Sequence, residues 1–221
     1  MLKFLILIFL VMACGTESQN SDLNLINGQP ATIAQVVRII NVNKGSACTA
    51  TIVGQRVLLT AGHCASTGDR LRFRFANQTR EAIATQSPTR GHDVSLALVS
   101  GSLNVTPARI GGGVAINQLV LLTGFGCTQP GGGGGNDGIL RVGNSQVIGF
   151  SGFNFVTRRG AALCFGDSGG PAFQRGTLNV VGVNSQGNIR DLSILVRMDI
   201  TTTRNFLKAF ETSKGVDIQG I

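Results

Sequence analysis

From Leu25 to Met198 short runs rich in β-branched and aromatic residues alternate with Gly, Asn and Pro. Residues 36–40, 50–53, 56–59, 70–75 and 94–99 read as strands in the first half of the chain, and 118–123, 138–142, 146–150, 178–183 and 192–198 continue the style in the second. Strands this short and evenly spaced predict an all-β barrel or sandwich. Composition agrees. Gly contributes 31 of 221 residues, charged residues only 14%, and Trp and Tyr are absent; that balance suits strands and tight turns better than long solvated helices. The length suits one domain, or two half-domains sharing a core, and residues 111–113, all Gly, make a plausible linker between halves. A second glycine run, 131–135, reads as a mobile loop. After residue 200 the pattern changes. Thr201, Thr202 and Thr203 are candidate caps for a helix to about Ser213, with Phe206, Leu207 and Phe210 on its docking face.

The first residues are a targeting segment rather than part of the fold. Lys3 precedes an apolar run, 4–12, too short to span a bilayer. Ala13 and Cys14 follow, and the chain turns polar at once. Residues 1–13 are therefore assigned to a signal peptide and 14–24 to a propeptide or tether. The segment resembles a bacterial lipoprotein signal, which implies lipidation at Cys14; an ordinary secretory signal with an incidental cysteine is the other reading. Either way the expected location is secreted or envelope-associated. Export favours disulfides, and the remaining cysteines, Cys48, Cys64, Cys127 and Cys164, are enough for two bridges. With no CxxC pair and two histidines, no metal site is expected.

The formal charge is +8, but the basic residues are scattered. Their densest group, Arg70, Arg72 and Arg74, alternates along one predicted strand and so shares one face. It is read as a solvated face, or as a preference for acidic substrates or surfaces; a nucleic-acid partner is not expected.

Three local patterns carry chemistry: Leu59-Thr60-Ala61-Gly62-His63-Cys64, Asp93-Val94-Ser95-Leu96-Ala97-Leu98 and Gly166-Asp167-Ser168-Gly169-Gly170-Pro171. A serine hydroxyl needs a base to take its proton, and a carboxylate can hold that base in the right tautomer. In the order His, Asp, Ser these patterns resemble the trypsin/chymotrypsin family of serine proteases over nearly all of residues 25–210. The resemblance implies two six-stranded antiparallel β-barrels, about 25–112 and about 113–200, followed by the helix. It implies a catalytic triad of His63, Asp93 and Ser168, and an oxyanion hole from the N–H groups of Gly166 and Ser168. His92, beside Asp93, is read as a surface or packing residue, because neighbours on an extended segment point to opposite faces.

The resemblance also implies a bridge between Cys48 and Cys64 flanking His63. For the two cysteines that remain it leaves Cys127 with Cys164, a departure from the family pattern. Leu25-Ile26-Asn27-Gly28 is similar to the family's mature N-terminus, so cleavage after Asn24 would free an α-amino group at Leu25 to pair with Asp167. Ala162, six before the serine, would line the base of the primary pocket with Leu163; Ser185, Gln186 and Gly187 would form the substrate strand, and Ser193 the far wall. Ser185 would also support Asp93. No carboxylate stands at the pocket base, so the residue before the scissile bond (P1) is expected to be apolar. Between His63 and Asp93 the only acids are Asp69 and Glu81, and no calcium loop is expected.

The function these features imply is a secreted, monomeric serine endopeptidase made as a zymogen, acting on protein or peptide substrates without a cofactor, with a possible membrane tether at Cys14. A catalytically silent binding protein on the same fold, and a hydrolase of esters, are the competing readings.

Overall fold

The structure, a computed structural model, describes residues 25–134 and 137–221. The signal, Cys14, the tether and Gly135 lie outside the described residues. In chain order the elements are β1 (Gln29–Pro30), β2 (Val36–Asn41), β3 (Ser46–Gly54), β4 (Val57–Thr60), β5 (Arg70–Phe75), β6 (Gln78–Gln86), β7 (Ser95–Val99), β8 (Arg109–Ile110), β9 (Leu119–Gly124), β10 (Arg141–Ser151), β11 (Asn154–Arg158), β12 (Pro171–Gln174), β13 (Asn179–Gly187), β14 (Ser193–Arg197) and α1 (Thr201–Lys214).

Two antiparallel barrels result. The first closes in the order β2-β3-β4-β7-β6-β5. The second closes as β9-β10-β11-β14-β13-β12, because β10 pairs with β11 along one edge and β9 along the other. Closure leaves no free strand edge in either ring. The alternation in β5 shows how the pattern becomes structure: Leu71 and Phe73 are buried inside the first barrel while Arg70, Arg72 and Arg74 are exposed. β4, buried at every position, lies between β3 and β7.

Three differences from the sequence expectations have physical causes. Residues 138–142 and 146–150 were expected as two strands, but β10 is one strand of 11 residues. Gly143-Asn144-Ser145 looks like a turn, yet each of the three pairs with β9, and the irregularity falls later, between Val147 and Gly149. Long-range pairing overrides local turn preference there. Residues 25–30 belong to the second barrel, not the first: Gln29 pairs with Val142, and Ile26 bridges Ala162. The strands of the first barrel therefore begin at Val36. Finally, the threonines of α1 are not its caps. Ile200 occupies the N-cap position without a side-chain hydrogen bond, and buried Thr203 instead donates to the carbonyl of Arg197 at 2.7 Å. Leu207 and Phe210 are buried as expected, each contributing about 2 kcal/mol through lost apolar exposure. Gly215 ends the helix in the left-handed conformation.

Candidate active site

The cleft lies where segments of both barrels meet. His63 follows β4 in a turn closed by Cys64 N–H to Ala61 C=O, 3.1 Å, and fastened to β3 by the Cys48–Cys64 disulfide. Asp93 precedes β7, Ser168 precedes β12, and Ser185 sits within β13. These four residues line one cleft of about 810 Å³.

His63 Nδ1 lies 2.8 Å from Asp93 Oδ2, and the His63 backbone N–H donates to Oδ1 at 2.7 Å. A carboxylate only accepts, so Nδ1 carries the proton, and in the neutral ring Nε2 is then the nitrogen with the lone pair, as a base requires. Ser185 Oγ also donates to Asp93 Oδ2, at 2.6 Å. Burial pushes the Asp93 carboxyl up, but the hydrogen bonds from His63 and Ser185 outweigh it and hold the group below its ordinary value. Asp93 therefore stays anionic beside the imidazole.

The segment 164–170 folds so that its backbone donors divide into two sets. Asp167 N–H donates to Cys164 C=O at 3.1 Å, Gly169 N–H to Asn184 C=O at 2.8 Å, and Gly170 N–H to Asp167 C=O at 3.0 Å. The N–H groups of Gly166 and Ser168 find no protein acceptor among the described residues. Two such donors flanking a serine can receive an oxygen that gains charge in a tetrahedral intermediate. Gly166 has φ +100°, which its missing side chain permits.

Two residues not singled out in the sequence build this turn. Thr49 N–H donates to the Ser168 carbonyl at 2.9 Å, and Thr49 Oγ1 donates to the Gly166 carbonyl at 2.8 Å and accepts from Phe125 N–H at 3.1 Å. Asn184, fully buried, donates through Nδ2 to the carbonyls of Thr123 (2.9 Å) and Asp167 (3.1 Å). Neither had a distinguishing signal in the sequence: Thr49 shares its strand with Ser46 and Thr51, and Asn184 with Asn179, Ser185 and Gln186.

Asp167 is fully buried. Its Oδ1 accepts from Gly126 N–H and its Oδ2 from Cys164 N–H, each at 2.8 Å. Burial pushes its carboxyl up to about 7, against those two hydrogen bonds and the charge of Arg141. A Cβ on Gly126 would lie 2.5 Å from the Asp167 carboxyl carbon, so only glycine fits there. Leu25 does not pair with Asp167 in this uncleaved chain. It is fully buried, and its peptide N–H donates to Cys127 C=O at 3.2 Å. Cys127 is bonded to Cys164, as the departure from the family pattern implied.

The pocket residues divide. Leu163, Ser185, Gln186 and Gly187 line the cleft, whereas Ala162 and Ser193 do not. Ala162 is fully buried in a cluster with Ile26, Cys127 and Cys164. Ser193 is fully buried too, and its Oγ accepts from Leu163 N–H at 3.0 Å. The residues expected at the base and far wall thus do not reach the cleft, whereas Leu163, 4% exposed, does. A residue not anticipated, Phe165, lies on the rim and is 64% exposed. Among the described residues Asp93 is the only acid lining the cleft.

His92 is a buried packing residue. Its Nε2 lies 2.9 Å from Thr203 Oγ1, whose own proton goes to Arg197 C=O, so Nε2 donates and Nδ1 accepts from Ser87 Oγ at 2.7 Å. Burial lowers its pKa, with the Asp93 charge acting the other way. Cys48, Cys64 and His63 cluster closely enough to suggest a metal group, but both sulfurs are spent in the disulfide.

Two closed six-stranded barrels with a C-terminal helix are the chymotrypsin-like fold. The chain belongs to the trypsin family: the family model described as Trypsin matches residues 25–200. A solved structure of HL collagenase superposes with a TM-score of 0.67 at 17% identity, covering 87% of this chain and 100% of the collagenase, a likeness of fold. A search of curated proteins finds no match. A protease fold implies protein or peptide substrates, and two disulfides in such a domain fit an extracellular protein. No helix among the described residues is long and apolar enough to cross a membrane.

Proposed function

We propose that the chain is an exported serine endopeptidase in which Ser168 attacks, His63 moves the proton, Asp93 orients His63, and the N–H groups of Gly166 and Ser168 receive the oxyanion. The observation that carries this reading is the pairing of two features around one serine. His63 holds Nε2 free through Asp93, and the two backbone donors flanking the nucleophile lack acceptors while their neighbours have them. In the first step Ser168 Oγ bonds to the substrate carbonyl carbon and its proton passes to His63 Nε2. The tetrahedral intermediate then expels the amine, which leaves with that proton. Water, deprotonated by the same nitrogen, repeats the cycle on the acyl-enzyme and returns the acid product and free Ser168.

An apolar P1 residue of small size fits the cleft, since Leu163 and Gly187 line it and, among the described residues, no acid other than Asp93 does. Synthesis as a zymogen is supported by the surroundings of Leu25. Its N–H sits on the carbonyl of Cys127, next in sequence to Gly126, which binds Asp167. Cleavage after Asn24 would convert that amide to an ammonium free to seek the buried Asp167 carboxylate, whose oxygens accept from the Gly126 and Cys164 N–H groups. If Cys14 is lipidated, the same cut would release the enzyme from its tether.

The test is labelling by a fluorophosphonate and hydrolysis of a peptide library by protein beginning at Leu25, compared with Ser168→Ala. Covalent labelling of Ser168 and turnover reduced by about 10⁴–10⁶ in the variant are expected. Retention of turnover within tenfold by Ser168→Ala would remove the assignment. Absence of labelling in a folded wild type would leave a silent binding protein on this fold.

A further inference from the structure

The exposed arginines of the first barrel form a track that leads to the nucleophile. Arg70, Arg72 and Arg74 alternate along β5, all exposed, about 7 Å apart at twice the strand rise. Ile40 of β2 pairs with Arg72, and Ile39 pairs with Phe73. Arg38 therefore stands beside Arg74 on the same outer wall. On its other side Arg38 pairs with Thr49 of β3, and Thr49 is the residue hydrogen-bonded to both Ser168 and Gly166. Passing from β3 to β2 to β5, the wall goes from the part covered by the second barrel to open solvent without a break.

The charge on this wall is largely uncompensated. Glu81, paired in register with Arg72, makes one solvent-exposed contact with it at 3.4 Å. Among the described residues Arg38, Arg70 and Arg74 have no carboxylate within ion-pair distance. Elsewhere some arginines are paired, Arg158 with Asp191, Arg197 with Asp199 and the buried Arg141 with Asp137, and others, such as Arg90 and Arg175, stand singly rather than in a row. A chain carrying +8 places Arg38, Arg70, Arg72 and Arg74 together here with Glu81 alone, among the described residues, in ion-pair contact with them.

We infer that this arginine track binds an extended acidic segment of the protein substrate, on the C-terminal side of the scissile bond. The inference rests on the peptidase reading above. The direction follows from which barrel carries each element. The proposed substrate strand, Ser185 to Gly187, belongs to the second barrel and would take residues before the bond. The track belongs to the first barrel, reached from Ser168 through Thr49 and Arg38, and is assigned to the residues after it. An extended peptide repeats its side chains on one face at the same spacing, about 7 Å, as the arginines of β5. Alternate Asp or Glu residues thus match Arg70, Arg72 and Arg74 one for one. A flat anionic surface would meet only part of a barrel wall that curves away, which favours the peptide.

The experiment uses two fluorescent peptides with the same apolar cleavage sequence, one followed by a tail with Glu at alternate positions, the other with Gln in their place. Binding to Ser168→Ala protein is read by anisotropy, and kcat/KM for both peptides is read on active enzyme. The expected result is binding of the Glu peptide about tenfold tighter at low salt. That advantage should disappear near about 0.5 M salt and in the combined Arg70→Gln, Arg72→Gln, Arg74→Gln variant, with the kcat/KM ratio of the two peptides falling to about one. Equal affinity for the two peptides, or a Glu preference that survives the arginine substitutions, overturns the proposal. So does arginine-dependent binding to vesicles with anionic headgroups combined with no peptide preference, which would assign the track to a membrane surface. Glu-selective, arginine-dependent binding without hydrolysis by the wild type would keep the track and refute the peptidase reading instead.

Discussion

The backbone N–H of Thr49 donates to the carbonyl of Ser168 at 2.9 Å, so a strand of the first barrel grips the proposed nucleophile carried by the second. The same threonine holds the Gly166 carbonyl through its hydroxyl. The conformation of the turn that frees the Gly166 and Ser168 donors is therefore a property of the barrel interface, not of the turn alone.

That interface leaves no room at Gly169. Its φ is +82°, and a Cβ there would lie 2.0 Å from Thr60 Oγ1 and 2.3 Å from the Thr49 carbonyl. Gly169→Ala should lose roughly 3 kcal/mol or more, from backbone strain and overpacking together, and lose peptide hydrolysis with it. Urea unfolding checks this. A midpoint equal to wild type would mean that the barrels separate at no cost, contrary to the packing.

Ser185→Ala removes one of the two side-chain donors to Asp93 Oδ2 and leaves the His63 contact in place. A fall in kcat of about tenfold with KM nearly unchanged is expected, since one hydrogen bond to a charged group is worth about 1.5 kcal/mol or more. Steady-state kinetics on a single peptide separates the two constants. A rise in KM alone would place Ser185 in substrate binding rather than in orienting the aspartate.

In the proposed reading Leu163 would limit the primary pocket, since it lines the cleft while Ala162 and Ser193 are fully buried and do not. Leu163→Gly should extend cleavage from small apolar P1 residues to Leu and Phe, by roughly one to two orders of magnitude in relative kcat/KM. The check is a library profile of both proteins; an unchanged profile would show that size selection happens elsewhere in the cleft.

Asp167 sets a pH dependence of folding in the uncleaved chain. Its folded pKa, about 7, lies above the ordinary 3.8. Between those values the folded state keeps a proton that the unfolded state has released. The stability associated with this site is thus complete below about pH 4 and is lost as pH rises toward 7. The full loss is of order 4 kcal/mol. His92, whose pKa is lowered by burial, works in the opposite sense, so the comparison must be with Asp167→Asn, in which the His92 contribution cancels. Denaturant titrations from pH 4.5 to 8 should show the wild type losing stability relative to the variant. Parallel curves would show that the carboxyl titrates normally when buried.

Much of the molecule was legible from the chain alone because the information was local. Alternation in 70–75 identified a strand and its two faces, and the motifs around His63, Asp93 and Ser168 identified three residues that the fold brings to one cleft. Local patterns failed where distant partners decide. Gly143-Asn144-Ser145 reads as a turn but is held in β10 by β9. Thr201 to Thr203 read as caps, yet the buried hydroxyl of Thr203 serves Arg197 and His92. Thr49 serves backbone groups of Phe125, Gly166 and Ser168, and Asn184 those of Thr123 and Asp167, all outside their own strands, and nothing in their neighbours along the chain announces that. Sequence by itself determined which side chains could do the chemistry, because reactivity belongs to residue type and short motifs. Only the tertiary structure decided which backbone donors stay free, which pocket positions are filled, and that an arginine row runs up to the nucleophile, because each of these is set by what the second barrel covers.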